Sequence, residues 1–110
     1  MQSIEVLTLS IEAAGALVQR RFVAPDGNQA GAAANTLGVA SYDVAAGEMA
    51  AVHVLGTAVV EAGGAVAFGA AIETDADGKA VTNAAGPVVG RALSASAADG
   101  DLIEVLLIQN

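Results

Sequence analysis

The sequence contains no cysteine, which removes disulfide scaffolds, thiolate metal sites and thiol catalysis from consideration. Aromatic residues are nearly missing as well: two Phe, one Tyr and no Trp in 110 residues. Aliphatic side chains must therefore fill the core. Much of the apolar fraction is alanine, which buries little area at ~25 cal/mol per Å². Basic residues are equally scarce, with four Lys and Arg against twelve Asp and Glu and a net charge of −8. They are scattered at Arg20, Arg21, Lys79 and Arg91. No basic patch is available to neutralise phosphates, so nucleic acid and anionic membrane surfaces are disfavoured as partners. No apolar run approaches the ~18 residues of a membrane helix. The first residues, MQSIEVLTLSIEAAG, lack positive charge and carry Glu5 and Glu12, which is unlike a secretory leader. A soluble protein, cytosolic as made, is expected.

What is present is turn chemistry between short apolar runs. From residue 66 onward, Asp75-Ala76-Asp77-Gly78, Asn83-Ala84-Ala85-Gly86-Pro87 and Ala97-Ala98-Asp99-Gly100 separate stretches of strand length. Asp-Gly supplies the positive-φ position and the side-chain bonds that tight turns need. The pattern predicts a meander of antiparallel strands. Upstream, Val6, Thr8 and Ser10 alternate with Leu7, Leu9 and Ile11, a period of two that predicts a half-buried strand over residues 4–11. A second strand is expected over Leu17 to Val23, ended by the turn at Ala24-Pro25-Asp26-Gly27-Asn28, with Arg20 and Arg21 exposed at an edge. Residues 29–35 read as a loop or short helix, Leu37 to Tyr42 as a strand and residues 45–48 as a turn. Gly56, inside the apolar run Met49 to Val60, suggests a bulge or a bend between two sheets.

The length suits one domain, residues 1–110. Its fold class is all-β: a small barrel or sandwich of about seven to nine short antiparallel strands. Thirteen glycines raise the entropy cost of ordering the chain. With so few large side chains, a lone copy is expected to be marginal, and association with other copies should add stability.

Candidate chemistry is sparse. His53 is the single histidine; alternation places it on the face opposite Val52 and Val54, and no Ser/Asp constellation surrounds it. A satisfied or exposed strand histidine is expected rather than a general base. Asp75, Asp77 and Gly78 resemble a calcium loop only in part, since Lys79 follows directly and the later ligands are missing; a hairpin turn fits better. Asp99, Asp101 and Glu104 read as a turn and a solvated strand face. No catalytic residue, cofactor site or metal site is assigned, and no enzymatic activity is expected.

Two family resemblances remain. Ile72-Glu73-Thr74-Asp75 with Lys79-Ala80 resembles the hairpin of lipoyl domains, whose lysine carries the swinging arm. Here Ala76-Asp77-Gly78 intervenes and moves Lys79 off the hairpin tip, so a lipoyl-type carrier or ligand-binding β-domain is the alternative reading. The order of Gly69-Ala70-Ala71-Ile72, Thr74 to Val81, Val88-Val89-Gly90-Arg91-Ala92-Leu93 and Ala97 to Leu107 resembles the small capsid cement, or head decoration, proteins of tailed bacteriophages. The good match covers roughly the C-terminal half. That resemblance implies a β-barrel or sandwich bound outside an assembled icosahedral head, which it stabilises. It also implies an oligomer, with a trimer favoured, a major capsid protein as partner, and residence on the virion after synthesis in the host cytoplasm. It carries over no catalytic residues. Residues 4–11 match the family least, and residues 1–12 are a candidate docking strand; the alternative is that this strand pairs within its own barrel. An N-terminal edge strand can add to a sheet of another chain, so Val6, Leu7, Leu9 and Ile11 are the expected capsid or oligomer contacts.

Overall fold

The structure is a computed structural model that describes residues 2–110. Among these residues there are eight strands and no helix: β1 Glu5–Glu12, β2 Phe22–Val23, β3 Gly38–Ala40, β4 Met49–Glu61, β5 Ala71–Thr74, β6 Ala80–Thr82, β7 Gly90–Ala92 and β8 Leu102–Leu107. All strand pairs are antiparallel, in the order β2-β3-β4-β8-β7-β5-β6, with β1 added along β4. This is the all-β architecture that the turn chemistry and the resemblance led us to expect.

Strand β4 is the spine. Its first half pairs with β1 on one edge and β3 on the other, and its second half, from Thr57, pairs with β8. The change falls at Gly56, whose φ is +101°. A side chain there would meet the carbonyl oxygen of Ile4, and the Val6 amide nitrogen at 2.9 Å. Glycine is thus required twice, once for the backbone conformation and once for the close passage of β1.

The sheet curls until its ends meet. The Phe22 amide donates to the Gly78 carbonyl at 2.8 Å, and the Gly63 amide to the Ala80 carbonyl at 2.8 Å. These bonds link β2 and the end of β4 to the β5–β6 hairpin and nearly close a barrel. Thr74, which is buried, fastens the long connection between β2 and β3. Its hydroxyl donates to the Gly31 carbonyl at 2.6 Å and accepts from the Ala34 amide at 3.0 Å, so the buried oxygen is fully used.

Two apolar clusters fill the interior. The larger joins Phe22, Ile72, Ile103, Val60, Val89 and Val105 with several alanines. The smaller joins Leu17, Val23, Val44, Val52 and Val54. Alternation along β4 puts Val52 and Val54 inward, opposite His53, as expected, and beyond Gly56 Ala58 and Val60 are buried as well.

Three local expectations are corrected. The run Leu17 to Val23 is not one strand. Arg20 adopts φ +66°, the Arg21 amide turns back to the Val18 carbonyl at 3.3 Å, and only Phe22–Val23 remain extended. The C-terminal strands do not form a simple meander, because β7 pairs with β5 and not with β6. Glu73 on β5 helps to fix this crossing: its carboxylate accepts the amides of Ala84, Ala85 and Gly86, which pins the connection beside β5. Finally, residues 4–11 are not half-buried as their period of two predicted: the strand pairs within its own barrel along β4, yet Leu7 and Leu9 stay exposed and only Ile11 is half-buried. Val52 and Val54 beneath are already covered by Leu17, Val23 and Val44, and only Ile11 reaches that cluster.

Candidate functional site

Strand β1 forms because Ile, Val, Leu and Thr over residues 4–11 favour the pleated conformation, and it lies on β4 because β4 offers a free edge. It has no second strand partner among the described residues, so its outer N–H and C=O groups form an open edge. Its pairing with β4 is irregular between Glu5 and Thr8, beside Gly56.

The side chains of this strand are unusually bare for their chemistry. Val6 is 73% exposed, Leu7 44% and Leu9 37%, while Ile11 is half-buried. The sequence reading brought these four together correctly as one strand, but it missed their neighbours. Ile4 and Thr57 exchange backbone hydrogen bonds at 3.1 and 2.9 Å, and Thr57 stands opposite Leu106 on β8. Directly paired residues share a face, so exposed Ile4 and Leu106 flank Thr57 in one row. Ile4 opens the same apolar run as Val6. Leu106 could have been found from β8, where Leu102, Glu104 and Leu106 alternate with buried Ile103 and Val105.

Polar ties hold β1 to the spine. The Thr8 hydroxyl and His53 Nδ1 are 3.1 Å apart, and His53 Nε2 lies 3.4 Å from a Glu5 carboxylate oxygen. The Glu5 carboxyl is held below the usual range, first by its own backbone amide, then by the Ser3 hydroxyl, with His53 adding a smaller attraction. His53 is therefore half-buried and occupied by β1, as a satisfied strand histidine.

The remaining polar candidates serve the fold. Asp75 Oδ1 accepts the amides of Asp77 and Lys79, each at 2.9 Å, which makes the Asp-Gly segment a hairpin turn. Asp101 likewise accepts the amides of Ala97 and Ala98. Lys79 does not project. Its ammonium lies 2.9 Å from Asp99 and 3.4 Å from Glu61, with the side chain only 13% exposed. Asp99 is the main reason its pKa is raised. A lysine so tethered cannot present a swinging arm, and the lipoyl-type alternative is not favoured.

What this arrangement offers chemically is a contact surface: exposed aliphatic side chains, Val6 alternating with Leu7 and Leu9, along an unpaired strand edge. The structure of the head fiber gp8.5 N base of bacteriophage phi29 is similar in fold, with a TM-score of 0.76 at 23% identity over 93% of each chain. A comparison with curated proteins finds no match. The sequence profile of the family described as phage cement protein matches residues 1–107. The match spans β1 through β8, including the strand that resembled the family least, and the chain belongs to the phage cement protein family.

Proposed function

We propose that this chain coats the outside of an assembled phage head and docks on the major capsid protein through β1. The observation that carries the docking site is the exposure of Val6, Leu7 and Leu9 on a strand with an open edge. Apolar side chains of this size are worth about 1.5–3 kcal/mol each on going from exposed to buried; Val6 offers most of that to a partner, and Leu7 and Leu9, already more than half covered, the remaining share. An edge strand also supplies backbone groups for sheet extension. The fold shared with a head-fiber base supports placement on the head exterior.

A cement protein needs no chemistry. It binds the assembled lattice and not free subunits, so it stabilises the shell by mass action. At a free concentration 100 times its Kd the gain is about 2.7 kcal/mol per site. The alanine-rich interior, in which Phe22 is the one buried aromatic among the described residues, supports a homo-oligomer, with a trimer favoured. The residence that follows is the capsid surface, after synthesis in the host cytoplasm.

The test is co-sedimentation with intact heads lacking the protein, comparing wild type with the triple variant Val6→Ser, Leu7→Ser, Leu9→Ser. These side chains are exposed, so the far-UV circular dichroism should be unchanged while head binding weakens by about tenfold or more. A folded variant that binds as tightly as wild type would move the docking surface elsewhere.

A further inference from the structure

Arg20 stands apart from the other Lys and Arg side chains. Arg21 Nε lies 3.1 Å from Glu61, Lys79 is held by Asp99 and Glu61, and Arg91 donates to the Gly69 carbonyl at 2.9 Å. Arg20 has no ion pair and no side-chain hydrogen bond among the described residues, in a sequence where acids outnumber bases twelve to four.

Its backbone makes this more pointed. The φ of +66° is a left-handed conformation that glycine or asparagine adopts at lower cost. It is locked on both sides: the Arg20 amide donates to the Ala40 carbonyl at 3.0 Å, and the Arg20 carbonyl accepts from the Glu61 amide at 2.9 Å. A long charged side chain is thus held at a strained position with no ion-pair or hydrogen-bond partner among the described residues. Strain of this kind, once observed, is grounds for a functional hypothesis.

Arg20 also lines a cleft of about 150 Å³ between the start of β1, β3 and β4. Gln19, Ser3, Ser41 and His53 contribute to the same wall. The volume lies well below the ~300 Å³ at which pockets for drug-sized ligands begin, so the occupant is a group the size of one side chain. The nearby acids are engaged elsewhere: Asp43 accepts the Gln19 amide at 2.8 Å, and Glu5 faces His53. Ser3 in the cleft wall is the sequence neighbour of Ile4, at the end of the apolar row described above.

We propose that this cleft is a carboxylate-accepting site, in which Arg20 receives an acidic side chain of a neighbouring protein subunit on the head. Guanidinium and carboxylate match as a planar, charge-assisted pair. Arg20 is exposed, so the cleft walls supply shape while the pair itself forms at the surface. An acidic side chain here fixes the register of a partner whose apolar surface covers β1. The partner's identity as a head subunit rests on the reading given under Proposed function.

The experiment titrates the ¹⁵N-labelled full chain with N-acetyl-aspartate methylamide, its asparagine analogue and inorganic phosphate. The expected result is saturable shifts of the Gln19, Arg20 and Ser41 amides with the aspartate probe. The asparagine analogue should give none, and Arg20→Gln should bind about tenfold more weakly. Arg20→Gly serves as the fold control, because it relieves the backbone and should melt no lower than wild type. Equal responses to the aspartate and asparagine probes, an unchanged Arg20→Gln, or preferential binding of phosphate would each overturn the proposal. Co-sedimentation separates the two readings. If wild type binds heads and Arg20→Gln binds them equally well, the acidic partner is not on the head and this inference fails alone. If wild type does not bind heads, the docking reading fails, while the titration still judges the cleft.

Discussion

Replacing Gly56 with alanine should loosen β1 from the barrel, and the cost can be worked from the geometry. An L-residue in the left-handed region costs about 1–2 kcal/mol, and Gly56 sits at φ +101°. The added methyl would also occupy the space of the Ile4 carbonyl oxygen and press on the Val6 amide. To relieve that clash β1 must move away, which gives up the two backbone bonds between Ile4 and Thr57. At about 0.5–1.5 kcal/mol each, these bring the total to roughly 2–5 kcal/mol. A domain of this size has about 5–15 kcal/mol to lose, and 1 kcal/mol is worth about 4–8 °C in Tm for a chain of 60–100 residues. Thermal melting followed by far-UV circular dichroism should therefore show a drop of about 10 °C or more. Amide exchange should quicken over residues 4–8. Gly47→Ala supplies the comparison. Gly47 also has a positive φ, +86°, but nothing lies within 4 Å of the added carbon, so it should show the backbone cost alone. If the two variants melt within about 2 °C of each other, and β1 amides keep their protection, the close passage of β1 is not what Gly56 serves.

Two further outcomes are expected. Phe22 is completely buried and belongs to the larger cluster; Phe22→Ala should cost about 3–5 kcal/mol, read as a lower denaturation midpoint in urea, and a loss under about 1 kcal/mol would show that the cluster can collapse around the gap. The Glu73 carboxyl is lowered from 4.5 mainly by the Ala84 and Gly86 amides. A lowered folded value means that its contribution is present above the unfolded value and lost as pH falls through the folded one. Wild type should therefore lose stability below about pH 4.5 more steeply than Glu73→Gln, and identical acid limbs for the two proteins would refute this role for Glu73.

Much of the wall was legible locally. Asp75 to Gly78 announced a hairpin because an aspartate followed by Asp-Gly satisfies its own turn, whatever lies beyond. Gly56 announced a bend because a glycine inside a long apolar strand has little other use. Alternation along β4 correctly separated Val52 and Val54 from His53. These signals depend on residues within a few positions of one another, where side-chain direction and backbone preference follow from the sequence directly.

The tertiary structure decided the rest. An arginine gives no sign in sequence that it will turn left-handed; Arg20 does so because Ala40 and Glu61 claim its amide and carbonyl from distant strands. The β5–β7 pairing is accompanied by Glu73 capturing amides eleven to thirteen residues away. Alternation told which side chains of β1 share a face, but not what that face would meet. Leu17, Val23 and Val44 had already covered the inside of β4, so Leu7 and Leu9 were left bare. The candidate docking surface exists for that reason: periodicity sets the direction of a side chain, while competition among distant segments for the same buried area sets whether it is covered.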